Sequence, residues 1–256
     1  MPQWSPTQYL KFADERTRPA PELLARVSMA SPRLVYDLGC GPGNSTILLT
    51  EAFPAAEVIG IDNSEEMLAK ARASVSGAHF ETADLNVWRP DRMPDLIFSN
   101  ATFQWLPRHL DVMKSMIACL PPGGVLAVQM PDNLNEPSHV LMRETAAAGP
   151  WASKLAHAAA SRSELPGPLA YYDALKPISA HVDIWHTVYN HVLDGAAGIV
   201  EWVKSTGLLP YLAPLSADER AAFLADYESR IAMAYPAAHD GKVLLRFPRL
   251  FIVVQK

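Results

Sequence analysis

Val35-Tyr36-Asp37-Leu38-Gly39-Cys40-Gly41-Pro42-Gly43-Asn44-Ser45-Thr46 passes from an apolar run, through three alternate glycines, into polar residues that can begin a helix. A strand ending in such a turn lets another molecule approach the backbone closely, and the helix N-terminus beyond it favours an anionic group. Neighbouring runs repeat the pattern. Val58-Ile59-Gly60-Ile61 ends at Asp62, His79-Phe80-Glu81-Thr82 approaches Asp84, Leu96-Ile97-Phe98 ends at Ser99-Asn100, and Gly124 to Gln129 is a fifth run. Apolar residues at helical spacing lie between them: Ile47, Leu48 and Phe53; Met67, Leu68 and Ala71; Val112, Met113, Met116 and Ile117. Strand and helix in alternation predict an α/β fold built on a doubly wound, parallel sheet.

Ahead of this block, Ser5 is an N-cap candidate with Pro6 at the first helical position, which predicts a helix through Leu10 and Phe12 towards Arg16. A second helix is expected from about Pro21 to Val27. Residues 132–178, rich in Ala, His, Tyr and Pro, predict short helices and loops, and Val182 to Val188 alternates as a half-buried strand. Residues 196–235 read as helical, with Ser216 as N-cap and Glu219 completing a capping box. Phe247 to Val254 predicts a closing strand, Pro248 placing its start at an edge or an irregularity. No internal repeat or linker interrupts the chain, so it reads as one domain with a helical insertion.

The 256 residues are 49% apolar and 19% charged, enough apolar side chain for a sizeable buried core. Lys and Arg number 22 against 27 Asp and Glu, a net charge of −5 with no basic run, so no nucleic-acid partner is expected. The apolar runs at Gly124 to Val128 and Leu250 to Val254 fall far short of the roughly 20 residues that span a bilayer. The first residues lack a basic start followed by an apolar stretch, so no secretory signal is read there. Two cysteines, Cys40 and Cys119, fit a reducing compartment, and a cytoplasmic protein is expected. His181, His186 and His191 lack a compact ligand spacing, so no metal is expected.

Two details separate the glycine turn from a dinucleotide site. After G-x-G-x-G comes Asn44, whereas the dinucleotide fingerprint places its third glycine one position later. Asp37 also lies inside the strand just ahead of the glycines, where a carboxylate repels pyrophosphate and attracts an ammonium group. Asp62, about 20 residues on at the next strand end, is placed for ribose hydroxyls. Asp84, after the third strand, can accept from an adenine amino group. Adenine, ribose and a cationic amino-acid tail without phosphates together describe S-adenosylmethionine.

DLGCGPGNST (37–46), GIDNSEEML (60–68), ADL (83–85) and DLIFSNATFQWLP (95–107) resemble the successive signatures of class I S-adenosylmethionine-dependent methyltransferases. The resemblance narrows along nearly the whole chain to the trans-aconitate 2-methyltransferase family. It is carried by WSPTQYLKFADERTRPA (4–20), LGCGPGNST (38–46), SNATFQWLP (99–107), VLAVQMPDN (125–133), EPSHVLMRE (136–144), YYDAL (171–175), VDIW (182–185) and FPRLFIV (247–253). The later segments fall in the variable cap and make the match specific. It implies a Rossmann-like, mostly parallel seven-stranded sheet, the last strand antiparallel, with a helical cap. It also implies methylation of one carboxylate of trans-aconitate, or a close tricarboxylate, to a monomethyl ester. Within residues 1–256, residues 1–30 would then supply N-terminal helices over the site and 31–131 the cofactor-binding core. Residues 132–178 would supply the helical insertion, and 179–256 the late strands and helices.

A carboxylate is already ionised at neutral pH, so no catalytic acid, base or nucleophile is expected, and the enzyme's work is positioning. For the cofactor, Asp37 is expected near the amino group by way of the loop, with Gly39, Gly41 and Gly43 at the methionine end. Asp62 is expected on the ribose, Asn63 and Met67 near the adenine, Asp84 and the Leu85 backbone on its edge, and Asn100 near the methionine portion. For Asp62 and Asp84 the competing reading is helix N-capping. Three substrate carboxylates want arginine forks. Arg16 on the N-terminal helix, Arg143 in the insertion and Arg249 before the last strand are candidates, with Tyr9, Trp105, His109 and Tyr172 lining the site. Of the other classes, a nicotinamide oxidoreductase is disfavoured by Asn44 and Asp37, and a non-catalytic S-adenosylmethionine-binding module gains no support from the loop. Among methyltransferases the runner-up acts on a carrier-bound acyl carboxylate or another small carboxylic acid; the basic docking surface this wants is not evident. No obligate protein partner is expected.

Overall fold

The computed structural model describes residues 17–158, 162–204 and 206–256. The helix expected from Ser5 to Arg16 lies outside them, and with it Tyr9 and Arg16. In chain order the elements are α1 (Pro19–Leu24), β1 (Leu34–Leu38), α2 (Asn44–Ala52), β2 (Glu57–Asp62), α3 (Glu65–Ser74), β3 (Ala78–Thr82), β4 (Leu96–Asn100), α4 (His109–Cys119) and β5 (Val125–Pro131). There follow α5 (Pro137–Ala148), α6 (Ala152–Leu155), α7 (Pro168–Leu175), β6 (His181–Leu193), α8 (Gly195–Lys204), α9 (Leu209–Leu212), α10 (Ala217–Ala234) and β7 (Val243–Gln255). No helix among the described residues is long and apolar enough to cross a membrane.

The strands form a seven-stranded sheet in the order β3-β2-β1-β4-β5-β7-β6. β1 pairs in parallel with β2 on one side and β4 on the other, β3 continues beyond β2, and β5 beyond β4. This is the topological switch point of a doubly wound sheet, where the carboxyl ends of the strands open a crevice for a ligand. Position in the sheet explains composition. β1 and β5 are buried at every residue and read as continuous apolar runs, while the edge strand β3 has no buried residue. Lys256 N–H donates to Gly124 O at 2.9 Å and Asp132 N–H to Pro248 O at 3.0 Å, so β7 runs opposite to β5.

The last strand corrects two expectations. β7 starts at Val243, not Phe247, because residues 243–247 alternate buried and exposed ahead of the continuous apolar run. It lies between β5 and β6 instead of at an edge, so Pro248 sits inside a paired strand and contributes its carbonyl as an acceptor. Arg249 is therefore within β7, not before it. β6 also extends past Val188 to Leu193, and its strict alternation falls in that extension, where Tyr189, His191 and Leu193 are buried.

The chain divides into two compact units. The described part of one comprises residues 17–131, 165–187 and 250–256; its core joins Tyr36, Ile59, Ile97, Met116, Leu126 and Ile252. The described part of the other comprises residues 132–158, 162–164, 188–204 and 206–249, with α10 against α5 and α8. Its α10 opens with the expected capping box, Ser216 Oγ accepting from Glu219 N–H and Glu219 Oε2 accepting from Ser216 N–H. α5, which carries His139 and Arg143, has no side-chain cap from Glu136. Two tyrosines hold its first turn instead: the buried Tyr227 hydroxyl donates to Ser138 O at 2.8 Å, and Ser138 N–H donates to the Tyr235 hydroxyl at 3.0 Å. Tyr227→Phe leaves that buried carbonyl one donor short, at a cost of about 1–2 kcal/mol. The expected drop in Tm is roughly 2–8 °C for a chain of this size; an unchanged Tm in thermal denaturation contradicts this role.

Candidate active site

The glycine turn after β1 is pinned before any ligand arrives. Gly39 N–H and Cys40 N–H both donate to Ile61 O of β2, at 2.7 and 3.0 Å. Gly41 N–H donates to Asp62 Oδ2 at 2.9 Å, and Asp62 Oδ1 accepts from Ser64 N–H at 2.9 Å. Gly39 has φ +71°, and a Cβ there would fall 2.1 Å from Thr102 Oγ1. Gly43, at φ +94° ahead of α2, would place a Cβ 2.5 Å from Val75 Cγ2. Both positions require glycine on conformation and on space. Thr102 Oγ1 in turn donates to Gly39 O at 3.2 Å and Ser99 Oγ to Leu38 O at 2.8 Å, fastening the end of β4 to the same turn.

Asp37 is fully buried at the end of β1. Its Oδ2 accepts from the hydroxyls of Ser45 and Thr46, both at 2.7 Å, while its Oδ1 has no hydrogen-bond partner. Burial raises its pKa to about 6, against the two hydroxyl donors, with Asp62 adding a smaller push upward. Asn100 Oδ1, at the end of β4, is a second buried acceptor with no partner. The next residue, Ala101, holds φ 58°. Its N–H donates to Gln129 O at 2.9 Å and its carbonyl accepts from Gln104 Nε2 at 2.6 Å, which stabilises a conformation unusual for a residue with a Cβ.

A cavity of about 360 Å³ opens at these strand ends. Gly39, Asp62, Asn63, Asp84, Leu85 and Trp105, all named from the sequence as site residues, line it. Ala83, Asn86, Ala101, Thr102 and Leu106 line it as well and were not predicted, although three of them lie within the quoted stretch 95–107. Asp37, Gly41, Gly43, Met67 and Asn100 are not among its lining residues. The N-capping reading of the two aspartates does not hold. Ser64 is the N-cap of α3, its Oγ accepting from Met67 N–H, and no helix follows Asp84 before β4. Asp84 Oδ1 accepts instead from the backbone and side chain of Asn86, which hold its carboxyl below the usual range.

The residues expected around the substrate are dispersed. Trp105 is 43% exposed at the cavity, whereas Tyr172 is 44% exposed on α7 and does not line it. The neighbouring Tyr171, not singled out from sequence, is buried, and its hydroxyl lies 2.7 Å from His109 Nε2. Burial lowers the pKa of His109, which keeps it neutral. In the other unit, Arg143 Nη1 donates to Leu134 O at 2.8 Å. Arg249 is only 4% exposed, its guanidinium 4.9 Å from the Phe247 ring centroid and 5.9 Å from that of Tyr189. No group of three or more His, Cys, Asp or Glu side chains placed to hold a metal occurs among the described residues.

A glycine turn at the switch point, acidic residues closing β2 and β3, and a seven-stranded sheet with an antiparallel last strand define a Rossmann-like methyltransferase. Residues 35–124 match the family described as a methyltransferase domain. Phosphoethanolamine N-methyltransferase 2 of Haemonchus contortus has a similar fold, at a TM-score of 0.57 and 15% identity over 93% of this chain and 52% of that one. The trans-aconitate 2-methyltransferases of Rhodopseudomonas palustris strains BisB18 and HaA2 are 57% and 58% identical to the chain over 256 residues, all of this chain and all of each relative. The chain belongs to the trans-aconitate 2-methyltransferase family. It is an S-adenosylmethionine-dependent methyltransferase.

The residues present fit that cofactor. The cavity is within the usual range for small-molecule sites. Two buried acceptor oxygens without donors suit a cationic amino-acid tail, and a carboxylate beside the turn disfavours a pyrophosphate. A cation brought to Asp37 stabilises its ionised form, so ligand affinity and protonation of Asp37 oppose each other. The Kd of adenosylhomocysteine is expected to rise as pH falls below about 6, by up to tenfold per pH unit, and to be flat in Asp37→Asn. Calorimetry between pH 5 and 8 checks this; a flat wild-type profile contradicts it.

Proposed function

We propose that the chain transfers a methyl group to one carboxylate of trans-aconitate, or of a close tricarboxylate, giving a monomethyl ester. The observation that carries this reading is identity of 57–58% over the whole chain with enzymes named for that activity, the arginine-bearing segments 132–164 and 188–249 included. S-adenosylmethionine, when bound, supplies an electrophilic methyl group, and the residues of the chain position what it meets. In this reading Asp62 accepts from the ribose hydroxyls with the lone pairs left over from Gly41 and Ser64. Asp84 and the Leu85 backbone take the adenine edge, with Asn63 and Met67 beside the ring. The backbone of Gly39, Gly41 and Gly43 admits the methionine end, whose ammonium meets the buried acceptors of Asp37 and Asn100.

The acceptor carboxylate is ionised well below neutral pH, so no side chain is needed to remove a proton. His109, held neutral and engaged with Tyr171, is not assigned as a base. From the sequence, Arg16, Arg143 and Arg249 are assigned to the substrate's carboxylates, and Tyr9, Trp105, His109 and Tyr172 to the lining of the substrate site. Cys40 and Cys119, both free thiols, support placing the reaction in the cytoplasm. A methyl-transfer assay over di- and tricarboxylates tests the reading. The highest kcat/KM is expected for trans-aconitate, with kcat at saturating cofactor flat between pH 6.5 and 8. A tenfold rise per pH unit in that interval indicates a general base and contradicts the mechanism. Absence of turnover with every carboxylate contradicts the function.

A further inference from the structure

We infer that Gln104 is a positioning residue for the cofactor: it holds the turn after β4 in the conformation that receives the methionine end, and recognition of that end depends on it. The inference rests on the placement of the methionine end at Gly39 and Asn100 proposed above. Every residue it uses lies within residues 17–131, inside one compact unit. The β4–β5 ladder ends with Asn100 beside Gln129, and Ala101 N–H extends it by one bond, to Gln129 O at 2.9 Å. Ala101 then takes φ 58°, whereas every other described residue with positive φ is a glycine. The chain reverses there. One residue later Thr102 Oγ1 donates to Gly39 O at 3.2 Å and lies 3.3 Å from Asn100 O. Ala101 and Thr102 form a wall of the cavity because of that reversal.

A Cβ disfavours positive φ, which glycine takes freely. Alanine needs a compensating contact, and Gln104 supplies it. Gln104 sits in the single 3-10 turn Phe103–Trp105 and is 6% exposed. Its Nε2 donates to Ala101 O at 2.6 Å, while its Oε1 is buried without a hydrogen-bond partner. A buried amide with one end unmet is costly, and an apolar side chain of the same size avoids that cost. What the amide does, and an apolar side chain cannot, is hold the Ala101 carbonyl. Phe103, fully buried in the core, anchors the turn that carries it. Alanine has fewer conformations to lose than glycine, so the wall is ordered before a ligand enters. The carboxylates expected at the adenosine end are held elsewhere, Asp62 by Gly41 and Ser64 and Asp84 by Asn86. Loss of Gln104 therefore acts on the methionine end and spares the adenosine end.

Calorimetry with two probes tests this: adenosylhomocysteine, which carries the amino-acid tail, and methylthioadenosine, which lacks it. Gln104→Met keeps the bulk of the side chain and removes the donor. It is expected to raise the Kd of adenosylhomocysteine at least tenfold and that of methylthioadenosine less than threefold. Adding Ala101→Gly to Gln104→Met is expected to bring the adenosylhomocysteine Kd back to within threefold of wild type, because glycine takes the positive φ unaided. A smaller loss in Gln104→Met overturns the inference, and so does an equal loss for both probes, which indicates general damage to the fold. A double variant that binds no tighter than Gln104→Met also overturns it, since the effect then does not pass through Ala101. If Gln104→Met does not fold, the double variant decides: a folded protein with an adenosylhomocysteine Kd within threefold of wild type supports the inference, and an unfolded or weaker-binding one overturns it. The wild type separates the two claims. If it binds adenosylhomocysteine no tighter than methylthioadenosine, the placement of the methionine end fails and the inference with it; a wild-type preference that Gln104→Met leaves intact refutes the inference alone.

Discussion

The carboxylate of Asp62 joins the glycine turn to the end of β2, and the geometry of the site depends on that junction. One oxygen accepts from Gly41 N–H and the other from Ser64 N–H, so the same side chain fixes the turn and the approach to α3. With the turn held there, Gly39 presses against Thr102, and the ends of β1, β2 and β4 become one rigid rim. A rim of this kind is preorganised: little ordering remains to be done when a ligand enters. The glycines are needed because no side chain fits where the strand ends meet.

Rigidity leaves polar groups without water. Asp37 is buried with one oxygen satisfied by Ser45 and Thr46 and the other without a partner, and Asn100 has an unpartnered oxygen as well. Such atoms are expensive in an apolar interior, and their persistence at a strand-end crevice marks a site that a donor completes. A cationic amino-acid tail is such a donor, and a phosphate is not.

Much of this was legible in the residues. The inner parallel strands β1, β2, β4 and β5 announced themselves because central strands buried on both faces are continuous apolar runs, and the Ser216–Glu219 capping box was readable as spacing. Asp62 and Asp84 were placed correctly at strand ends because chain order and the switch point determine where a ligand can sit. The losses have physical causes. The start of β7 was hidden because Val243 to Phe247 alternates, with Leu244 exposed, and Pro248 looked like a boundary. Tyr171 and Tyr172 are adjacent on a short helix and face different surroundings, a distinction that composition does not make. Gln104 and Thr102 act through the backbone of Ala101 and Gly39, contacts that exist only once β4 and the turn are assembled.

The central claim is that the glycine turn and its acidic strand ends recognise a phosphate-free, cationic nucleoside. The most direct measurement is the thermal stability of the protein against rising adenosylhomocysteine and, separately, a nicotinamide dinucleotide. Adenosylhomocysteine at a hundred times its Kd should add about 2.7 kcal/mol of stability, a rise of roughly 5–10 °C in Tm. The dinucleotide at the same concentration should leave Tm unchanged. A rise with the dinucleotide equal to or larger than that with adenosylhomocysteine contradicts the account.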